Sequence, residues 1–185
     1  SISVLLIQIL SALATGGAVV CSQYLGKKMP EKAKLSAGQL MFIMLTSSGT
    51  VMILVLFLHR FLLRTIFGQI EADVMDAAQI YFLISAISYP FLGVYNAGAA
   101  LFRSIGNSKI SMYTSLVMNV INIGGNAILI YGAGIGVMGA ALATLIARMV
   151  SALVMVVLLS KNDNPLCIAT TGCMRPQKDV IGKIL

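Results

Sequence analysis

The chain contains little of what catalysis requires. It has one histidine and six acidic residues among 185, and the acidic residues fall in connections or at the ends of apolar segments. An enzyme active site needs a nucleophile with a neighbouring base, or a metal held by suitable ligands. The sequence offers neither arrangement within its apolar segments. We therefore expect a protein that is not an enzyme and that holds no cofactor.

Cysteine is equally scarce. Cys21 lies in the first apolar segment, and Cys167 and Cys173 are six positions apart near the end of the chain, with no histidine nearby. This spacing matches no zinc site. The three thiols are predicted to be reduced and to face the cytoplasm.

Charge is scarce, and apolar residues are abundant. Charged residues make up 10% of the chain and hydrophobic residues 58%, with a mean hydropathy of +0.94. A soluble domain has about 25% charged and about 45–50% apolar residues. The composition predicts a polytopic membrane protein. The net charge of +7 does not indicate nucleic-acid binding, because the basic residues lie in short connections between apolar segments.

Five apolar segments are each long enough to cross a bilayer, since about 20 helical residues span the hydrocarbon core. They predict an all-α transmembrane helical bundle with spans at residues 2–25, 36–58, 77–102, 110–131 and 137–159. Residues 59–76 are amphipathic and are expected to lie in the membrane interface. Pro90, inside the third span, removes a backbone hydrogen bond and predicts a kink.

Lysine and arginine give the orientation of these spans. One set of alternate connections, together with the tail, carries ten of them, whereas the opposite side carries Arg60 and Arg64. The positive-inside rule places the larger set in the cytoplasm. Five spans then leave Ser1 outside and Leu185 inside. Because Ser1 stands within an apolar run, we expect at least one helix to precede it.

Polar residues inside the spans fall on defined helix faces. Steps of three and four place a set of them on one face of the fourth span, namely Ser115, Asn119, Asn122 and Asn126. Thr144 and Arg148 share a face of the fifth span, and Ser85, Tyr89 and Asn96 form a second stripe in the third. Polar groups at bilayer depth usually border a path or a water-filled cavity. The alternative is that the amides join helices, a contact that contributes only about 0.6 kcal/mol on average.

Two features of this region have two interpretations each. Arg148 either reaches polar groups of neighbouring helices or faces a path, where it repels cationic cargo or attracts anionic cargo. Gly124 and Gly125 either loosen the fourth span or let another helix approach closely. The sequence favours neither interpretation in either case.

Three stretches together resemble one family of membrane proteins. They are SQYLGKKMPEKA (22–33), GAALFRSIGNSK (98–109) and NVINIGGNAILIYGAGIGVMGAALATLIAR (119–148). They resemble the multidrug and toxic compound extrusion transporters, the last stretch most specifically. The resemblance implies helices two to six of the amino-terminal lobe of a twelve-helix exporter. Residues 1–160 would form part of that lobe, and residues 161–185 a cytoplasmic amphipathic tail that links it to a second lobe.

The resemblance also implies roles for individual residues. Asn122 and Thr144 fall on positions that bind the coupling ion in the archaeal and bacterial subgroup. Asn126 falls where that subgroup usually carries an aspartate, and an amide cannot bind and release a proton. Asn96 is a further candidate on the preceding span.

The function that the resemblance implies is secondary active efflux of drugs or metabolites across the plasma membrane by alternating access, in exchange for H⁺ or Na⁺. The expected partners are the lipid bilayer, a small-molecule substrate, and the first helix and second lobe of the same protein, and no nucleic acid. The pathway residues would be Asn119, Asn122, Asn126, Thr144, Asn96, Arg148 and Tyr89. The alternatives are a flippase for lipid-linked sugars, a passive channel, or a structural membrane subunit. A flippase would need several cations along its cavity, and Arg148 is the one available.

Overall fold

The described part of the chain is a bundle of helices. The computed structural model describes residues 2–67, 72–161 and 166. It contains α1 (Ile2–Gly26), α2 (Pro30–Phe67), α3 (Ala72–Ile87), α4 (Tyr89–Ser104), α5 (Ser108–Asn126), a π-helical segment (Ala127–Gly132) and α6 (Gly136–Leu159). The predicted all-α bundle is confirmed.

The predicted number of spans also agrees with the structure. Among the described residues, four helical stretches are long and apolar enough to cross a membrane, namely Val4–Gly26, Pro30–Leu58, Ser108–Gly132 and Gly136–Leu159. The pair Asp76–Ile87 and Tyr89–Ser104 makes a fifth span if it is counted as one, and it is bent by 41°. The predicted kink is therefore present, with its break at Ser88.

The break has a local cause in the backbone. Pro90 has no N–H to donate, and its ring crowds the preceding turn. The N–H of Ser88 is shared between the carbonyl oxygens of Ile84 at 3.3 Å and Ser85 at 3.1 Å, and the helix resumes where the N–H of Leu92 donates to the oxygen of Ser88 at 3.0 Å. The chain changes direction here without leaving a helical conformation.

Two predicted connections are shorter than expected. The loop predicted after the first span shrinks to residues 27–29, because α2 already begins at Pro30, where proline suits the first turn of a helix. The segment 59–76 was predicted as a separate interfacial stretch. Instead α2 continues to Phe67 and α3 begins at Ala72, since nothing in residues 59–67 stops a helix.

Helix α4 occupies the centre of the bundle. It contacts all five other α-helices, and α6 contacts α3, α4 and α5. Ten of its sixteen residues are buried. They include Leu101 and Phe102, which join residues of α1, α2 and α6 in the main hydrophobic core. The other helices are thus arranged around α4.

Small residues allow this central position. A Cβ added to Gly93 would lie 2.6 Å from Oγ of Ser48, and one added to Gly98 would lie 2.8 Å from Cβ of Met155. Real carbon atoms do not approach so closely, so α2 and α6 pack directly against the α4 backbone at these points. Such close approach through small residues is typical of membrane helix packing.

The cysteine prediction needs one correction. Cys21 is a free thiol, but it is fully buried in the main core, because it lies on the face of α1 that packs against α2 and α4. It therefore does not face the cytoplasm. Cys167, Cys173 and nearly all of the predicted tail, 161–185, lie outside the described residues.

Candidate functional site

Three polar side chains join α5 to α6 in one chain of hydrogen bonds. The amide nitrogen of Asn126 donates to Oδ1 of Asn122 at 3.1 Å. The amide nitrogen of Asn122 donates to Oγ1 of Thr144 at 3.1 Å, and that hydroxyl donates to the carbonyl oxygen of Ala140 at 3.0 Å. We call these three residues, Asn122, Asn126 and Thr144, the amide chain. The structure thus brings together the three residues that the family resemblance selected.

Close packing holds the two helices in this register. A Cβ added to Gly125 would lie 2.9 Å from Cβ of Ala143, and one added to Gly139 would lie 3.0 Å from the carbonyl carbon of Leu129. The first contact lies beside the amide chain, between Asn122 and Asn126 on the first helix, and the second lies just beyond Asn126, at Leu129. Of the two interpretations of the glycines, close approach holds for Gly125. Gly124 has nothing within 4 Å of an added Cβ.

The backbone changes its winding directly after the amide chain. From Ala127 to Gly132 the helix is π-helical, a wider winding that often occurs at functional sites. The N–H of Ala133 donates to the carbonyl oxygen of Ile128, and that of Ile135 donates to the oxygen of Leu129. Sequence periodicity gave no sign of this segment, because an apolar run has the same pattern in either kind of helix.

The amide chain ends in an oxygen atom that has no partner. All its hydrogen bonds run in one direction, from Asn126 through Asn122 and Thr144 to the backbone of α6. Oδ1 of Asn126 is buried and accepts no hydrogen bond. A buried acceptor without a partner costs about 1–3 kcal/mol. The lone pairs of this oxygen are therefore available to a hydrogen-bond donor or a cation.

The other residues of the predicted seam do not join this network. Asn119 is exposed, and Ser115 is half-buried. Among the side-chain hydrogen bonds of the described residues, the α5 amides that take part are Asn122 and Asn126. Of the four residues predicted to share this face, Asn122 is hydrogen-bonded to α6, and Asn126 is connected to α6 through Asn122.

The second predicted stripe is divided by the bend. Ser85 belongs to α3, whereas Tyr89 and Asn96 belong to α4, so a single helical register does not connect the three. Tyr89 is buried and packs in a small cluster with Val55 and Ala86, which places it inside the bundle. Asn96 is half-buried, and its amide nitrogen is buried without an acceptor.

Arg148 reaches a different part of the bundle from Thr144. Its guanidinium donates to Oγ of Ser88 at the α3–α4 break, and Ser88 in turn donates to the carbonyl oxygen of Ser85 at 2.6 Å. Where side chains are described, the one ion pair joins Lys34 and Glu31, so no carboxylate partners Arg148 there. The contact favours the interpretation that Arg148 binds polar groups of neighbouring helices.

Ser88 is the residue of this contact that sequence reasoning missed. It is fully buried, and it stands two positions before Pro90, where a broken helix leaves backbone groups to satisfy. A serine two positions before a proline within an apolar span is the signal that was available. Its partner Arg148 lies on a helix sixty residues later in the chain, and residue spacing could not predict that contact.

The amide chain consists of oxygen and nitrogen groups that carry no net charge. Amide and hydroxyl oxygens suit hard cations, and neither group titrates near neutral pH. Helices that depart from regular winding at membrane depth supply such ligands in several ion-coupled carriers. The arrangement offers oxygen ligands and no acid or base.

Sequence comparison gives the chain its relatives. A family model described as MatE matches residues 1–128. An uncharacterized transporter of Bacillus subtilis, YisQ, is 32% identical over 165 residues, a match that covers 85% of this chain and 35% of that protein. The chain therefore spans about a third of the length of this curated relative.

Comparison with solved structures gives the same fold. The inward-facing conformation of a multidrug resistance MATE family transporter matches with a TM-score of 0.88 at 23% identity, and an outward-facing conformation with 0.87 at 24% identity. Each match covers 97% of this chain and 40% of the solved chain. With its apolar spans, the chain is a multi-pass protein of a bacterial plasma membrane. Because the family model covers more than half of its length, the chain belongs to the MatE family.

Proposed function

We propose that this chain is part of a secondary transporter that exports drugs or metabolites in exchange for an inward-moving cation. In this proposal the amide chain of α5 and α6 binds the cation, and the bundle carries it between the two sides of the membrane. The unpartnered oxygen of Asn126 is the observation on which the proposal depends. A second lobe of the same protein would form the other wall of the substrate path.

The chemistry of the amide chain favours Na⁺ over H⁺ as the coupling ion. An amide oxygen donates its lone pairs to a metal cation but does not hold a proton near neutral pH. Asn126 stands where the related subgroup usually carries an aspartate, so a proton would need a carboxylate from another helix. Within α5 and α6 no residue is acidic.

Movement as one body is supported by the two structural matches. The fold of the chain matches an inward-facing and an outward-facing transporter equally well, with TM-scores of 0.88 and 0.87. A lobe that keeps its internal fold while its access changes is what rigid-body alternating access requires. The well-packed contacts of α4 would hold the lobe together during that movement.

A lipid-linked sugar flippase is less well supported. Such a protein would neutralise the anionic carrier phosphate with several cations along its cavity. Among the described residues within the spans, the candidate cation is Arg148, and it is engaged by Ser88. A passive channel would show no coupling between cation and substrate flux.

Cation binding is tested by thermal unfolding of the full-length protein in detergent, in NaCl and in choline chloride of equal ionic strength. A ligand at tenfold its Kd stabilises the folded state by about 1.4 kcal/mol. We expect Na⁺ to raise the Tm of the wild type and of Asn119→Ala, and to have no such effect on Asn126→Ala. Asn119 is the matched control, because it is an exposed amide of the same helix.

Transport is tested in proteoliposomes loaded with ethidium, a fluorescent cationic dye. We expect an inward Na⁺ gradient to speed dye exit from vesicles that contain the wild type and Asn119→Ala, but not Asn126→Ala. Equal dye exit with and without any cation gradient would contradict coupled export. Coupling to a proton gradient alone, with Asn126→Ala unaffected, would locate the cation site on another part of the protein.

A further inference from the structure

A small cleft with a mainly apolar lining and one guanidinium lies between α1 and α4, at the end of the bundle that carries the basic connections. Its volume is about 240 Å³, with Thr15, Val19 and Ser22 on one wall and Ala100, Arg103 and Ser104 on the other. Both helices end nearby, α1 at Gly26 and α4 at Ser104. Because the positive-inside rule assigns this end to the cytoplasm, the cleft opens at the depth of the inner-leaflet headgroups.

The cleft is polar near the helix ends and apolar about one turn further in, with the Thr15 hydroxyl one turn deeper still. Ser22, Arg103 and Ser104 lie within the last turns of their helices, whereas Ala18, Val19 and Ala100 lie about one turn deeper. Helices rise about 1.5 Å per residue, so the apolar part extends some way toward the hydrocarbon. A phospholipid has this same order, with a polar headgroup above an apolar glycerol and acyl region.

The electrostatics at the mouth of the cleft favour an anion. Arg103 is exposed, and where side chains are described it has no ion-pair partner, since that part of the chain has one ion pair, Lys34–Glu31. Lys27 and Lys28 follow α1 at the same end. The carboxyl ends of α1 and α4 oppose this with about half a negative charge each. Three full positive charges exceed that effect.

The hydroxyl groups of the cleft restrict further which ligand groups it can bind. Thr15, Ser22 and Ser104 each donate their hydrogen to a backbone oxygen of their own helix, at 2.9, 2.8 and 2.7 Å. Their oxygen atoms therefore remain as acceptors. The cleft thus offers one guanidinium for a phosphate and several acceptors for hydroxyl donors.

We propose that this cleft binds an anionic phospholipid whose headgroup carries hydroxyl groups, with phosphatidylglycerol as the simplest such lipid. The guanidinium of Arg103 holds the phosphate, and the oxygens of Ser22 and Ser104 accept hydrogen bonds from the headgroup hydroxyls. The glycerol and first acyl carbons lie against Val19 and Ala100. This site is separate from the amide chain and does not depend on the proposed transport.

Native mass spectrometry of the full-length protein tests the proposal. Protein released from nanodiscs that contain equal amounts of phosphatidylglycerol and phosphatidylcholine should retain the former preferentially. Arg103→Gln should lower that retention about fivefold, the change expected for one basic residue at the membrane surface. Lys109→Gln is the matched control, being an exposed cation at the same end but outside the cleft, and should change it little.

Further variants separate this site from general surface charge. Arg103→Lys keeps the charge and should retain much of the binding, which guards against a variant that merely folds poorly. In the wild type, retention of phosphatidylglycerol should exceed that of phosphatidic acid, whose headgroup has no glycerol hydroxyls. The double variant Ser22→Ala with Ser104→Ala should retain the two lipids equally. If Lys109→Gln lowers the retention of phosphatidylglycerol as much as Arg103→Gln does, the proposal is overturned. Displacement of the lipid by excess inorganic phosphate would also overturn it and assign the cleft to a soluble anion.

Discussion

Helices α4 and α5 follow each other in the chain but are packed in opposite ways. Ten of the sixteen residues of α4 are buried, whereas Ser111 and Thr114 are the buried residues of α5. Helix α4 is in contact with every other α-helix, while α5 packs mainly against α6 and less against α4. One helix is the structural centre of the bundle, and the other carries the polar atoms at its margin.

The difference shows how stability and function are divided within this bundle. The glycines of α4 let α2 and α6 approach its backbone, which stabilises a fixed arrangement. The half-buried amides of α5 instead keep one buried oxygen without a partner, which lowers stability but leaves an atom able to bind a ligand. Regions of low local stability are where binding and movement usually occur.

The largest difference in stability between the two helices is expected from a pair of leucines, one on α4 and one on α5. Leu101 on α4 is completely buried, whereas Leu116 on α5 is 59% exposed. We expect Leu101→Ala to lower the free energy of unfolding by about 2–5 kcal/mol, and Leu116→Ala to change it by about 0.5 kcal/mol or less. Thermal unfolding of the full-length protein in detergent measures both. Similar losses in the two variants would show that α5 is as well packed as α4.

Matched glycines test the same contrast through overpacking. Gly93→Ala places a carbon 2.6 Å from Oγ of Ser48 and 3.0 Å from the backbone oxygen of Met44, so the α2–α4 contact must open. We expect a loss of about 1–3 kcal/mol. Gly124→Ala meets nothing within 4 Å and should be neutral or gain up to about 1 kcal/mol of helix propensity. We therefore expect Gly93→Ala to unfold at a lower temperature than the wild type. Gly124→Ala should unfold at the same temperature as the wild type or at a higher one.

Ser88 tests the polar contact at the bend of the central span. Ser88→Ala removes the acceptor of Arg148 and leaves a cation without its partner, which should cost about 1–3 kcal/mol. Adding Arg148→Met removes the cation and should recover part of the loss. If the double variant is as unstable as the sum of the two single variants, the contact between these side chains contributes nothing to stability.

Asn122→Ala should have only a small effect on stability. Amide contacts between membrane helices contribute about 0.6 kcal/mol on average, so its unfolding should stay close to that of the wild type. Its Na⁺-dependent stabilisation, in contrast, should be lost, because the substitution interrupts the amide chain between Asn126 and Thr144. A variant that loses stability and keeps its response to Na⁺ would assign Asn122 a purely structural role.

The sequence predicted the spans well, because each needs only length and apolar composition. It also placed the kink near Pro90, since the loss of a backbone donor is a local effect. It misplaced the boundaries around residues 26–34 and 59–76, where helices α1, α2 and α3 extend further than polarity suggested. Helix ends depend on backbone hydrogen bonds that a charged residue does not by itself interrupt.

The candidate site was only partly readable from the residues. Periodicity put Asn119, Asn122 and Asn126 on one face and gave no reason to separate them. The structure separates them, because α6 covers the part of that face near Gly125 and leaves Asn119 exposed. The pairing of Arg148 with Ser88 could likewise not be predicted from the sequence, since it depends on the bend that places this serine next to α6.

By itself, the sequence determined that this chain is a membrane-spanning helical bundle with amides at bilayer depth. Those properties follow from composition and from a period of 3.6 residues, both of which act locally. Tertiary structure alone decided which polar groups meet, which oxygen stays without a partner, and which helix becomes the centre. Such outcomes depend on how closely distant helices approach, and that approach is set by glycines and alanines whose partners lie far away in the chain.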